Sequence, residues 1–221
     1  MNAARGRSTV TMIKGTALAA PMGVDFWRYA VTNGATTGGS SYPRSELREM
    51  LDPANVASNW TAHGTHILEV VCRVNEVPSS QKVIIGQIHG FSGKARPLIK
   101  LQFYKGGIEA LVKVSSKEGR DRKLVFPDAG LNNDIAYKIK LQDGLLYVTV
   151  NGATQTEEIF RNNADWANQT FYFKAGAYCQ DNKGPVSESA RVSFSRLKVS
   201  HAASPMPALG RSTNTSTKGE Q

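Results

Sequence analysis

In short runs along most of this chain, apolar and polar residues alternate one by one, and the runs end at glycine, proline, asparagine or aspartate. A strand sends successive side chains to opposite faces, so a period of two supplies one face for a core and one for solvent or a ligand. No stretch keeps the longer period of an amphipathic helix over several turns. The run at 66–74 is typical: Leu68, Val70, Cys72 and Val74 point one way, Glu69 and Arg73 the other. Similar patterns predict strands over 26–31, 44–50, 82–89, 98–104, 108–114, 136–141, 145–150, 171–180 and 192–199. Many short strands without a long helix imply an all-β fold, a sandwich of two antiparallel sheets.

The punctuation between strands supports this. Asp143-Gly144 sits between two alternating runs and predicts a tight hairpin; Asn151-Gly152 carries the same signal, because glycine tolerates positive φ. Residues 52–61 read as a helical turn or bend, and 115–122 as a charged loop. The glycine-rich loop at 32–41 has no strand–loop–helix setting, so it is no nucleotide cradle. In the last strand, Val192, Phe194, Arg196 and Lys198 are expected on one face and Ser193, Ser195, Leu197 and Val199 on the other. The 221 residues fit one domain: an irregular segment or edge strand over 1–23, a sandwich over 24–200 and a disordered tail over 201–221.

Lys and Arg exceed Asp and Glu by 27 − 18 = 9. An excess of that size points to a polyanionic partner, which charge alone does not identify. No long basic run or nucleic-acid motif is present, so nucleic acid is not expected. No apolar stretch reaches the length of a membrane span, so no membrane partner is expected. Cys72 and Cys179 both fall on apolar strand faces and are expected as buried free thiols, although a single bridge between neighbouring strands stays open. His63 and His66 are three apart but lie at a turn and a strand start without a third ligand, so no metal site is expected. Arg5, Arg7 and Lys14 precede or flank only short apolar patches, which does not read as a signal peptide.

Three predicted strands each present a polar face. Alternation groups Tyr172, Lys174, Tyr178 and Gln180 on one side of 172–180, with Phe173, Ala175, Ala177 and Cys179 opposite. It groups Arg44, Glu46 and Arg48 on the second strand, and Gln87 with His89 on the third, where Ile88 opposes them. Taken singly, each residue has an ordinary structural use: a packed tyrosine, a satisfied histidine, a surface ion-pair ladder. Taken together, RSELREM, QIH and YFKAGAYCQ, in that order, resemble the three signature blocks of the alginate lyases of polysaccharide lyase family seven. The resemblance runs from about 26 to about 199.

That resemblance implies a jelly roll with a concave cleft, an acidic polysaccharide (alginate) as partner, no cofactor and a monomer. It implies chain cleavage by β-elimination: a base removes the C5 proton of a uronate, and an acid protonates the departing C4 oxygen. Arg44, Gln87 and His89 would neutralise the substrate carboxylate, His89 would be the base for guluronate, and Tyr178 the acid. For mannuronate, Tyr178 would do both. Glu46 would orient an arginine, while Arg48, Lys174, Tyr172 and Gln180, with Lys94 and Arg96 of the 91–97 loop, would bind the chain. Ile88 in the QIH block is associated in the family with guluronate-containing or mixed substrates, and endolytic action is expected. Such a substrate lies outside cells, which suggests an extracellular or periplasmic site and fits poorly with the N-terminal reading. Two rivals remain at this point. A glycoside hydrolase on a similar sandwich would need two carboxyl groups across the bond, and the motif strands supply Glu46 and, on the opposite face, Glu49. A non-catalytic carbohydrate-binding module would explain a basic aromatic cleft but not a histidine beside a tyrosine.

Overall fold

A computed structural model describes residues 11–14, 26–31, 40–93, 96–117, 119–162, 164–185 and 187–204. In chain order its strands are β1 (Thr11–Lys14), β2 (Phe26–Val31), β3 (Arg44–Met50), β4 (Trp60–Thr61), β5 (Thr65–Glu76), β6 (Lys82–Gly90), β7 (Pro97–Tyr104), β8 (Gly107–Lys113) and β9 (Asp121–Phe126). They continue with β10 (Ile135–Gln142), β11 (Leu145–Val150), β12 (Ala153–Glu158), β13 (Thr170–Cys179) and β14 (Ser189–Ala202). Helical structure is confined to one turn at Ile159–Asn162 and a 3₁₀ turn at Ala164–Trp166. Among the described residues no helix is long and apolar enough to cross a membrane.

Two sheets stack face to face. One has the order β1-β3-β13-β6-β7-β8-β9, with β4 pairing the start of β13; the other runs β12-β11-β10-β5-β14-β2. All pairings are antiparallel except that of β1 with β3, which is parallel. The expected jelly-roll sandwich is therefore present. Its core is made by the apolar half of each alternating strand: Leu68, Val70, Cys72 and Val74 from β5 meet Ile88, Leu101, Phe103, Phe173 and Ala175 from the opposite sheet. Cys72 and Cys179 are both buried and unbridged. The two hairpin turns take the positive φ that their sequences permit, at Asp143 (45°), Gly144 (84°), Asn151 (47°) and Gly152 (87°).

Four features depart from the sequence reading. Strand β9 occupies part of the expected charged loop, and β12 follows the Asn-Gly turn. Both are edge strands with no clear apolar face: β9 is mostly exposed, and β12 exposes or half-exposes every residue. Alternation cannot announce a strand that buries neither side. The two edges instead close on each other, with Gln155 Nε2 donating to the Val125 carbonyl at 2.5 Å and Arg122 paired with Glu157. In β14 a bulge between Phe194 and Arg196 shifts the register. One extra residue there reverses the inward parity, so Val192 and Phe194 are buried together with Leu197 and Val199 rather than with Arg196 and Lys198. Finally, β14 runs through Ala202, which brings His201 out of the expected tail and into the sheet.

His201 joins the two layers. Glu49, on the core face of β3 and 1 % exposed, accepts hydrogen bonds from Trp60 Nε1 and the Phe173 amide, each at 2.8 Å. Its other oxygen lies 2.5 Å from His201 Nε2, and His201 Nδ1 lies 2.8 Å from His66 Nδ1. His66 Nε2 donates to the His63 carbonyl at 2.8 Å, because a carbonyl only accepts. His66 Nδ1 then offers a lone pair, so His201 Nδ1 must donate, and one further proton is shared between His201 Nε2 and Glu49. A carboxylate and two imidazoles thus form a largely buried relay between the sheets, with His201 half-buried and Trp60 stacked on His66 at 4.3 Å. Breaking a buried pair leaves its partner uncompensated. Glu49→Ala should therefore lower stability by about 3–5 kcal/mol, read as a shift in the urea midpoint; an unchanged midpoint would show that the relay carries no such weight.

Candidate active site

Strand register gathers the polar faces. Directly opposed residues in a sheet share a face. Between β13 and β3 the opposed pairs are Tyr178 with Arg44, Gly176 with Glu46, and Lys174 with Arg48. Between β13 and β6 they are Lys174 with Gln87 and Tyr172 with His89, and on β7 Lys100 stands opposite Gln87. Gly176 is what allows β13 to lie this close to β3. A Cβ there would sit 2.5 Å from Glu46 Cα and nearer still to the Ser45 carbonyl, both backbone atoms that cannot move aside.

Glu46 anchors the middle of this surface. It is 2 % exposed, accepts a hydrogen bond from Lys174 Nζ at 2.6 Å, pairs with Arg44 Nη1 at 3.6 Å and receives the Gln87 amide nitrogen. Three partners compensate its burial and fix three side chains around it. Arg44 lies with its guanidinium carbon 3.7 Å above the centre of the Tyr178 ring. Its Nε and Nη2 are buried but have no hydrogen-bond partner among the described residues. These donors are unpaired, and a small turn of the guanidinium toward the cleft would offer them to an anion.

His89 has a defined tautomer. Nδ1 is 2.7 Å from the Gly90 carbonyl and must donate to it, which leaves a lone pair on Nε2. Burial pushes its pKa down from about 6.5 to about 4, and the charges of Lys174 and Arg44 act in the same direction; the Gly90 hydrogen bond and Glu46 oppose them. At neutral pH the imidazole is uncharged and can take up a proton. Its ring stacks on Tyr172, with centroids 5.4 Å apart. The Tyr178 hydroxyl lies 3.0 Å from Ser40 Oγ.

Arg44, Gln87, His89, Tyr178, Gln180 and Arg96 line one open cleft of about 470 Å³. Glu46 supports it through its contacts with Gln87 and Arg44, and Lys174 through its contact with Glu46. Arg48 is held elsewhere: it donates to Met50 Sδ, the Val56 carbonyl and Asn59 Oδ1, and covers the Tyr172 ring at 4.0 Å. That arginine ties the 52–59 turns to the sheet, and Tyr172 is packed between it and His89. Lys94 lies outside the described residues. Ser40, Tyr42, Pro97, Lys100 and Lys113 complete the lining and were not singled out from sequence. Alternation along 98–104 sets Lys100 on the face opposite Leu101 and Phe103, but nothing local ties Lys113 to the cleft. No carboxylate lines the cleft among the described residues, so the pair that hydrolysis requires is missing there. Among the described residues no group of three or more His, Cys, Asp or Glu side chains is placed to hold a metal ion.

A family model described as alginate lyase matches residues 22–201. The chain belongs to the alginate lyase family. It is similar to alginate lyase A1-II′, a member of polysaccharide lyase family 7, at 41 % identity and a TM-score of 0.77, with 81 % of this chain and 80 % of that one covered. It is similar to an alginate lyase from Pseudomonas aeruginosa at 39 % identity and a TM-score of 0.73, covering 84 % and 86 %. A curated alginate lyase from Klebsiella pneumoniae is 24 % identical over 226 residues, covering 78 % of this chain and 74 % of the relative. The protein is thus a polysaccharide lyase, and its carboxylate-free, cation-lined cleft suits elimination on a polyanion.

The state of His89 gives the lyase a pH signature. A histidine that is harder to protonate when folded adds stability that is complete above about pH 6.5 and is lost as pH falls toward about 4. His66, lowered mainly by burial, acts in the same direction. Stability measured by thermal melts should therefore fall between about pH 6.5 and pH 4, and less steeply in His89→Asn. Identical slopes in both proteins would exclude the buried neutral imidazole.

Proposed function

We propose that this alginate lyase cuts within chains that contain guluronate, with Arg44, Gln87, His89 and Tyr178 as its catalytic residues. The observation that carries the reading is the juxtaposition in one cleft of two open Arg44 donors, the free lone pair of His89 and the Tyr178 hydroxyl. The proton at C5 of a uronate is a poor acid, because the carboxylate beside it is already negative. Arg44 and Gln87 offset that charge and hold the electron density that moves onto the carboxylate as the proton leaves. His89 Nε2 takes the C5 proton. The C5 electron pair forms the C4–C5 double bond, the C4–O bond breaks, and the departing oxygen takes the Tyr178 proton. Both side chains recover their starting protonation from solvent before the next cycle. In guluronate, proton and leaving group lie on opposite faces of the ring, which suits two separate groups; in mannuronate they share a face, and Tyr178 serves both steps.

His89 is a weak base in the free protein chiefly because it is buried, and the charges of Lys174 and Arg44 add to that. A bound carboxylate offsets Arg44 and Lys174, which raises the basicity of the imidazole when substrate is present. Glu46 positions Arg44, Gln87 and Lys174 and does not itself meet the sugar. Solved structures of a similar lyase, 41 % and 40 % identical, contain a GGG product and a GGMG substrate, which supports a guluronate-containing substrate here. Cations extend from Arg44 on β3 to Arg96, Lys100 on β7 and Lys113 on β8, which supports a chain that continues past the bond being broken.

Tyr178→Phe should lose nearly all turnover, followed as the ultraviolet absorbance of the new double bond, while alginate binding is kept. Retained turnover would remove Tyr178 from the acid role. On separated blocks, guluronate and mixed chains should be cut faster than mannuronate chains, with early products of many sizes. A preference for mannuronate, or release of a single small product from the outset, would overturn the substrate or endolytic assignment respectively.

A further inference from the structure

His89 is held from behind by residues that stand outside the cleft. The lone pair of its Nε2 lies in the ring plane, so its direction follows the tilt of that plane. The bond from Nδ1 to the Gly90 carbonyl fixes one edge of the ring but leaves rotation about that bond open. A face contact sets the tilt: the Tyr172 ring lies on the imidazole with centroids 5.4 Å apart and planes 21° from parallel. Strand β13, which bears Tyr172, lies between β6, which bears His89, and β3, which bears Arg48. From the β3 side, Arg48 brings its guanidinium carbon to 4.0 Å from the centre of the Tyr172 ring. Phe91 meets the same ring edge to face, with centroids 6.4 Å apart. Arg48 is itself fixed. It is 9 % exposed; Nη1 donates to Met50 Sδ at 2.7 Å, and Nη2 to the Val56 carbonyl at 3.0 Å and to Asn59 Oδ1 at 3.2 Å. All three acceptors are neutral, so the face of Tyr172 supplies part of the compensation that a buried guanidinium needs. Arg48, Tyr172 and the 52–59 turns do not line the cleft.

We propose that Arg48 and Tyr172 are positioning residues for the elimination: the guanidinium clamps the phenol, and the phenol sets the tilt at which His89 Nε2 meets the C5 proton. This rests on the reading of His89 as the base for guluronate. Proton transfer depends steeply on alignment, and a displacement of about 1 Å can cost about a hundredfold in rate. Three flat groups in series leave the imidazole little room to roll. Arginine suits the outer layer, because its guanidinium is planar, stays charged and can donate to the turns while it covers a ring; lysine has no such plane. The dependence is selective. On mannuronate Tyr178 serves as both base and acid, so the tilt of His89 matters little there. The 52–59 turns, although they stand outside the cleft, bear on the base through Arg48 and Tyr172.

The test compares the wild type with Arg48→Lys, Tyr172→Leu and Tyr172→Phe by steady-state kinetics on separated guluronate and mannuronate chains. Tyr172→Leu should lower kcat on guluronate by about ten- to a hundredfold with KM within about twofold, the pattern of an interaction that acts in the transition state and not in binding. Its kcat on mannuronate should change by less than about threefold. Tyr172→Phe, which keeps the ring face under the guanidinium, should recover most of the guluronate turnover. Arg48→Lys should lose about tenfold on guluronate. The imidazole proton resonances of His89, displaced by the ring current of the stacked phenol, read the stack directly in NMR spectra of the free enzyme. They should move in Tyr172→Leu and Arg48→Lys and stay close to the wild type in Tyr172→Phe. Equal losses of kcat on both chain types would mark a merely structural role and overturn the proposal. An unchanged guluronate kcat, resonances that do not move, or a loss confined to KM would overturn it as well, the last by placing these residues on the sugar. Arg48→Lys and the resonances carry the test if Tyr172→Leu does not fold. A wrong assignment of the base would show instead in His89→Asn, whose guluronate turnover would survive.

Discussion

Strand β3 carries two buried carboxylates on opposite faces, and the architecture of the protein follows from how each is compensated. Glu46 looks into the cleft and Glu49 into the core. A buried carboxylate without partners is prohibitively costly, so each draws donors from several strands. Glu46 draws an arginine, a lysine and an amide; Glu49 draws an indole, a backbone amide and an imidazole. The first set arranges the side chains that line the cleft. The second fixes β3 to β13 and to the opposite sheet. Because the two residues are only three apart on one short strand, the geometry of the cleft and the cohesion of the sandwich cannot be altered independently.

The charges around Glu46 have a double role. Lys174 and Arg44 compensate the buried carboxylate, and the same two cations help to hold His89 neutral. The free site is thereby kept with an unprotonated imidazole and an excess of unpaired donors. Entry of an anion relieves both conditions together. If His89 is the base, as proposed, its strength would thereby be tied to the presence of the substrate.

Much of this was legible in the sequence, for reasons that particular residues make clear. Arg44, Gln87, His89 and Tyr178 belong to strands buried on one side, where a period of two determines which residues share a face. The assembly of those faces was not local information. It came from three motifs in order, since no window of sequence says that Gln87 lies beside Lys174. What escaped notice falls into two kinds. Edge strands β9 and β12 bury neither face and leave no alternation to find. The bulge near Ser195 reverses the inward parity of β14, and a single inserted residue has no compositional mark. Arg48 illustrates a third limit: it stands on the expected face, but the 52–59 turns use up its hydrogen bonds before a ligand can. Lys113 is the converse, a residue with no distinctive neighbours that the meander of β7 and β8 carries into the cleft.

The lateral closure of the sandwich has a consequence for how such an enzyme changes over time. Strand β9, which bears Asp121, is fastened on its outer side not by another strand of its own sheet but by Gln155 and Glu157 of the opposite layer. Substitutions on that remote margin would reposition the far end of the groove without touching any sugar. The position of β9, and with it of Asp121 and the two lysines it contacts, can therefore drift through the scaffold while the rest of the cleft stays as it is.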